Sequence, residues 1–284
     1  MIKKLLCGLL VTALVANSFV GANLTNASAA TKVPKASYTF NMNASSKNVV
    51  AVARKGDTVN FTNTSATGGV LPAASNAKGI KLKYAKGKHG KALYLDRSQS
   101  YGAELKNVKL GSGSWTVSFW VKASNSMSDF MPVFFTESSV NDKDAKWISI
   151  TKASWLGNAS PTTWSRNATI TNAFPWFSNN DWKAGDEITP AKGWLHIVLV
   201  VNTKKTCTYG EGKTAYKGYH GYTYVNGKLY GNGAIAKGSM SNANRFFLGI
   251  NGWDVPFRGY IDDVQLYKSA LSASQVSALY KSQK

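Results

Sequence analysis

An all-β sandwich is the fold class this sequence predicts, on three observations. Aromatic and β-branched residues alternate with polar ones over short runs, the period of a strand with one buried face. Gly, Asn and Ser punctuate these runs almost to the end of the chain. Helical periodicity is nearly absent before the last dozen residues.

Taken in chain order, residues 1–30 read as a signal peptide rather than as fold. Lys3 and Lys4 precede an apolar run from Leu5 to Val15, and Ala27-Ser28-Ala29 offers the small side chains a signal peptidase needs. The run is shorter than the ~20 residues of a membrane span, so a secreted chain with no membrane span is expected. Residues 31–35 read as a short linker and 36–284 as one domain, a size that sandwiches reach as single units. Removing the leader leaves 254 residues with Cys207 as the one cysteine, so the core is expected to form without a disulfide staple.

Lys78, Lys81, Lys83, Lys86, Lys88 and Lys91 alternate partly with Ile80, Leu82 and Tyr84. That pattern suits an exposed edge strand, where lysines block sheet-to-sheet pairing, or an anion-binding patch. From Trp115 to Lys122, Trp115, Val117, Phe119 and Val121 fall on one face and are assigned to the core. Trp120 lies on the other, polar face and needs either a covering segment or an open sheet surface.

Residues 137–190 are less regular. They hold Trp147, Trp155, Trp164, Trp176 and Trp182 among Gly, Asn, Ser and Pro, and read as one or two strands with long loops. Trp194 to Asn202 is apolar on both faces, a central strand covered on both sides. Tyr222–Val225 and Lys228–Tyr230 flank Asn226-Gly227, a strong hairpin signal because both turn residues tolerate positive φ. Phe246–Ile250 and Gly259–Tyr267 are the last strands. Ser272 and Gln275 then form a capping box ahead of Val276, Leu279 and Tyr280, predicting a short C-terminal helix against the sandwich edge.

Charge bounds the partners. The chain has 34 Lys+Arg against 14 Asp+Glu, net +20, and +18 without the leader. Such a field concentrates anions, although a lysine-rich surface also serves solubility alone. Export argues against nucleic acid and toward a polysaccharide or glycan, neutral or anionic.

Three segments together resemble the laminin G-like branch of the concanavalin A-like lectin/glucanase superfamily. They are GKALYLDRSQSYGAEL with GSWTVSFWVKA (residues 90–123), GWLHIVLVVN followed by YVNGKLYGNG (193–233), and FFLGINGWDVPFRGYIDDVQLYKSALSASQVSALY (246–280). The resemblance implies a jelly roll of two curved antiparallel sheets, frequent carbohydrate binding, often a structural calcium ion, and only sometimes catalysis. Fold does not fix function here.

Four chemistries are open on the residues. Asp262 shares a strand face with Val264 and Leu266, and an inward carboxylate must be paired or bound to a cation. The resemblance implies a calcium ligand there; the first-strand region lacks the family's usual aspartate, and Asn41 and Asn43 offer amide oxygens that calcium accepts. The alternative is that Asp262 accepts backbone N–H bonds or pairs with Arg245 or Arg258. Glycoside hydrolysis needs two nearby carboxyls, but no E-x-D-x-E strand exists, and Glu104, Glu137, Glu187 and Glu211 lie in separate segments. Glu137 with Asp142 and Asp144 is the nearest approach to such a pair. Lyase chemistry would use a base such as His220, among Tyr216, Tyr219 and Tyr222, whereas His196 reads as a core residue.

Sugar binding suits the residues better. Trp164, Trp176, Phe177 and Trp182, interleaved with Asn179, Asn180 and Asp181, combine stacking surfaces with hydroxyl partners, and Trp253, Asp254 and Phe257 form a second such loop. The competing explanation is that these aromatics cover the core edge. The expectation is a secreted, non-catalytic glycan-binding protein acting in adhesion or polysaccharide capture. A polysaccharide-active enzyme and a surface protein that binds anionic wall polymers by charge are the alternatives.

Overall fold

Strand alternation builds two sheets around one apolar interior. A computed structural model describes residues 31–43, 46–55, 71–96, 101–124, 130–141, 143–153, 160–179, 187–212 and 215–284. The leader peptide, Asn180, Asp181, Trp182, Asp142 and Trp155 lie outside the described residues.

The first strands are β1 (Tyr38–Phe40), β2 (Val49–Val52), β3 (Lys83–Lys86), β4 (Lys91–Leu95) and β5 (Gly102–Leu105). The long central ones are β6 (Trp115–Ala123), β7 (Met131–Ser139), β8 (Lys146–Ala153) and β9 (Ser160–Asn167), followed by the short β10 (Trp176–Phe177). Then come β11 (Leu195–Tyr209), β12 (Tyr216–Val225), β13 (Lys228–Ile235), β14 (Arg245–Leu248), β15 (Gly259–Tyr267) and the helix α1 (Ala273–Gln283). One sheet runs β13-β12-β11-β6-β15-β4-β3 with β1 also on β15, and the other runs β10-β9-β8-β7-β14-β5-β2. Every pairing is antiparallel, which with the two facing sheets makes the expected jelly-roll sandwich.

The alternation assigned in β6 holds. Trp115, Val117, Phe119 and Val121 join Phe134, Ile148, Ile150, Phe246 and Leu248 in the core between the sheets. β11 is central, with Leu195, Ile197, Leu199 and Val201 inward. Val198 and Val200 point outward and are covered by Val276 and Leu279 of α1, with Tyr224, Tyr267 and Leu271. The helix thus lies on the outer face of the eight-stranded sheet instead of at its edge, because β11 is apolar on both faces and its outer face needs cover. Burying each of those helix side chains stabilises by about 1.5–3 kcal/mol.

Both halves of the capping box form: Gln275 N–H donates to Ser272 Oγ (3.2 Å), and Ser272 N–H donates to Gln275 Oε1 (2.9 Å). Trp120 is resolved in favour of cover, packed on His196 (5.1 Å between centroids) and Tyr280 (5.9 Å), with Lys88 Nζ 4.6 Å from its ring. The lysine-rich β3 is an edge strand, as its pattern predicts. Asn226 and Gly227 turn the β12–β13 hairpin with φ of 50° and 76°.

Residues 137–190 carry more strand than expected. β8 and β9 are eight residues each, and β10 adds a short third. β9 shows no alternation of apolar and polar residues in sequence because its inward positions are polar. Inside, Thr163 Oγ1 meets Thr223 Oγ1 at 2.9 Å, and Ser165 Oγ accepts the Ala236 N–H at 2.9 Å, so the hydroxyls are satisfied.

Candidate functional site

Register sets the outer face of the seven-stranded sheet. Glu137 sits opposite both Trp147 and Arg245, Phe135 opposite Ser149 and Phe247, Ser149 opposite Trp164, and Trp164 opposite Trp176. Directly opposed residues share a face. Phe135, Glu137, Trp147, Trp164, Trp176, Arg245 and Phe247 therefore all point away from the core.

Their rings form a continuous row. Trp164 and Trp176 stack with centroids 5.5 Å apart and planes 30° apart. Phe174 lies 5.7 Å from Trp164 and 5.0 Å from Trp147, both edge-on. Trp147 contacts Trp253 at 4.9 Å, and Trp253 meets Phe135 at 5.5 Å. Trp147 is only 3% exposed and supports the row from below, while Phe174 is 36% exposed. Trp164, Trp176 and Trp253 are half-buried, so their rings are partly open to solvent. The Arg166 guanidinium lies 5.9 Å from the Phe174 ring.

A polar scaffold fixes Trp253. Asn251 Oδ1 accepts the N–H groups of Trp253 (3.0 Å) and Asp254 (2.7 Å), and its Nδ2 donates to Asp254 Oδ2 (2.7 Å). Burial pushes the Asp254 carboxyl up to about 6, against the bond from Asn251, the Arg54 charge and the bond from the Trp253 side chain.

The sequence-selected residues divide accordingly. Trp164, Trp176 and Trp253 converge on one face, but two of them stand on strands and not on loops. Asp254 is beside Trp253, with its carboxylate turned to Asn251. Phe177 is corrected: it neighbours Trp176 on a two-residue strand, so it points the opposite way and packs in the core. Phe257 is likewise a core residue. Asn180, Asp181 and Trp182 are outside the described residues. Sequence reasoning missed Trp147, Phe174 and Phe135. The run Trp147-Ile148-Ser149-Ile150-Thr151 does alternate, and that period was the available signal for Trp147.

The same face carries two carboxyls with opposite shifts. Burial alone would raise Glu104. Its bonds to Arg245 Nε (2.9 Å) and Arg245 Nη2 (2.8 Å), with Lys106 Nζ at 3.3 Å, outweigh that and hold it below the usual range. Glu137 is 0% exposed, and neither carboxyl oxygen has a hydrogen-bond partner among the described residues. Burial pushes it up to about 8, with Arg245 opposing and Glu104 adding to the rise. Opposed carboxyls are the pattern of acid–base pairs. Here both are buried and Glu104 is doubly bonded to Arg245, so the arrangement does not present them to a substrate.

The residues considered for calcium surround the turn between β3 and β4. Asp262 is buried. Its Oδ2 accepts the His89 N–H (3.0 Å), its Oδ1 accepts the Asp263 N–H (2.8 Å), and the Lys88 backbone also donates to it. Asn43 Oδ1 accepts the Lys91 N–H at 2.8 Å, and Asn41 Oδ1 accepts the Asn43 N–H at 3.3 Å. Gly87 and Gly90 permit this approach: a Cβ would stand 2.5 Å from Asp262 Oδ2 and 2.1 Å from Asn43 Oδ1. These oxygens face N–H groups, so the residues as placed do not fit a cation cage. Among the described residues no group of three or more His, Cys, Asp or Glu is placed to hold a metal ion.

The histidines take other roles. His196 is fully buried, its Nε2 lies 2.7 Å from Ser118 Oγ, and burial drives it down to about 3. His220 stacks on Tyr222 (4.2 Å) and bonds Tyr222 OH (3.0 Å) and Asn232 Oδ1 (2.9 Å). It belongs to the eight-stranded sheet and is not part of the tryptophan face. No described helix is long and apolar enough to cross a membrane.

Known structures share the fold. Domain 4 of AbnA, a GH43 extracellular arabinanase from Geobacillus stearothermophilus solved with arabinotriose, is 23% identical with a TM-score of 0.55, covering 88% of this chain and all of that one. The binding domain of Paraclostridial Mosquitocidal Protein 1 is 14% identical with a TM-score of 0.50, covering 83% of this chain and 52% of that one. No curated protein matches in sequence. The laminin G-like family of the concanavalin A-like lectin/glucanases superfamily matches residues 97–277. With two antiparallel sheets, a single described α-helix and that match over most of the domain, the chain belongs to the concanavalin A-like lectin/glucanases superfamily.

Proposed function

We propose that this is an exported, non-catalytic glycan-binding protein that acts in adhesion or polysaccharide capture. The observation that carries the reading is the row of rings on the outer face of the seven-stranded sheet. Partly open Trp164 and Trp176 stack on each other, and partly open Trp253 packs on Trp147 while Asn251 accepts its backbone N–H. Rigid aromatic surfaces beside polar groups suit the C–H faces and hydroxyls of sugars, and fixed rings lose little entropy on binding. The arabinotriose bound by domain 4 of AbnA supports the same ligand class, on fold likeness alone.

Affinity gel electrophoresis with soluble polysaccharides tests this. Retardation should persist at about 0.5 M salt, where screening shortens electrostatic reach well below ~10 Å. Trp164→Ala and Trp253→Ala should each weaken it by about tenfold or more.

A second reading, capture of anionic polymer by charge, is favoured by the lysines along the β3 edge. It predicts binding that is lost on adding salt and is indifferent to the tryptophan substitutions. Reducing-end release from any of these polymers would favour the enzyme instead.

A further inference from the structure

Resting on the glycan-binding reading, we infer that the tryptophan face grips an internal stretch of a polysaccharide chain, several sugar residues long, and not a single terminal sugar. The row of rings runs across β10, β9, β8 and β7, which at ~4.8 Å per strand is roughly 14 Å. That is more than twice the 5.5 Å between the stacked Trp164 and Trp176 rings. The partly open rings lie toward its two ends. Trp176, Trp164 and Phe174 form one group and Trp253 the other, with the 3% exposed Trp147 between and beneath them.

A site for one terminal sugar would converge its groups on one closed point. These rings instead stand in register on successive strands of a sheet, and their spacing is set by the pairing Glu137–Trp147, Ser149–Trp164 and Trp164–Trp176. The cavity bounded by Ser112, Trp115, Val201, Thr203, Tyr219 and Met240 is elsewhere and holds about 10 Å³, room for one water. Two separated aromatic contacts on one rigid surface act as linked sites. A chain that reaches both gains far more than a fragment that reaches one.

The experiment takes whichever of linear arabinan, xylan, mannan, β-glucan or polygalacturonate retards the mature protein. Its oligosaccharides of one to six residues are then titrated by calorimetry. Affinity should rise at least about tenfold between the disaccharide and the tetrasaccharide and then level off, with the monosaccharide failing to compete. Trp253→Ala should abolish the gain between the disaccharide and the tetrasaccharide, so that affinity levels off at shorter oligosaccharides. Affinity that is complete with the monosaccharide overturns the inference and leaves glycan binding standing. No retardation by any of the five polymers overturns both. The length series on the unsubstituted protein decides the matter even if a tryptophan variant does not fold.

Discussion

Glu137 is the residue whose chemistry is least explained by packing. A buried carboxyl with no hydrogen-bond partner among the described residues favours its protonated form, and its value of about 8 against an ordinary 4.5 means the folded state holds that proton to higher pH than the unfolded one. Stability is therefore lost as pH rises from about 4.5 through 8. Asp254 and Asp262, each raised to about 6, act in the same direction at lower pH. His196, lowered to about 3 from 6.5, acts the other way, so its contribution is lost as pH falls from 6.5 toward 3. Of these four, Glu137 dominates the pH dependence above about pH 7. Urea unfolding should show stability falling between pH 6.5 and 8.5 by a few kcal/mol at most, and Glu137→Gln should flatten that slope. Asp262 poses the opposite case, a buried carboxylate with full employment. Asp262→Ala strands the N–H groups of His89, Asp263 and Lys88 at about 1–3 kcal/mol each, so thermal unfolding should fall by several degrees. Chelator should leave the melting temperature of the unsubstituted protein unchanged. Stabilisation by added calcium would show that the loop rearranges around a cation.

Elements inherit these local decisions. The helix α1 is short, with one buried flank, and its start is fixed by the reciprocal bonds of Ser272 and Gln275. Ser272→Ala should cost about 1 kcal/mol in equilibrium unfolding, because one N–H of the first turn loses its acceptor. A larger loss is expected at Trp147→Ala, about 3–5 kcal/mol for removing a buried indole. That variant should also free Phe174 and Trp253 from their shared support, and tryptophan fluorescence should report more exposed indoles. The capping box was legible because it depends on two residues three apart. The strand β9 was not, because Thr163 and Ser165 find their partners on other segments, at Thr223 and Ala236, which no local pattern announces.

At the scale of the whole molecule, the leader remains an expectation with a direct check: N-terminal sequencing of the exported protein should begin at residue 30 or 31, just after Ala27-Ser28-Ala29. The sequence by itself determined the sandwich class, the inward set of β6, the covered strand β11, the edge position of β3, the β12–β13 turn and the helix start. Each of these depends on periodicity or on neighbours a few residues apart. Only the tertiary structure decided that Phe177 turns inward while Trp176 turns outward, that α1 lies over the sheet face, and that Asp262 answers N–H groups of a turn more than 170 residues away. The row from Trp176 through Trp164 and Trp147 to Trp253 belongs with these. Register between successive strands β7 to β10 aligns the strand-borne rings, and packing of a loop about a hundred residues on brings Trp253 to them, a contact that no stretch of the chain encodes alone.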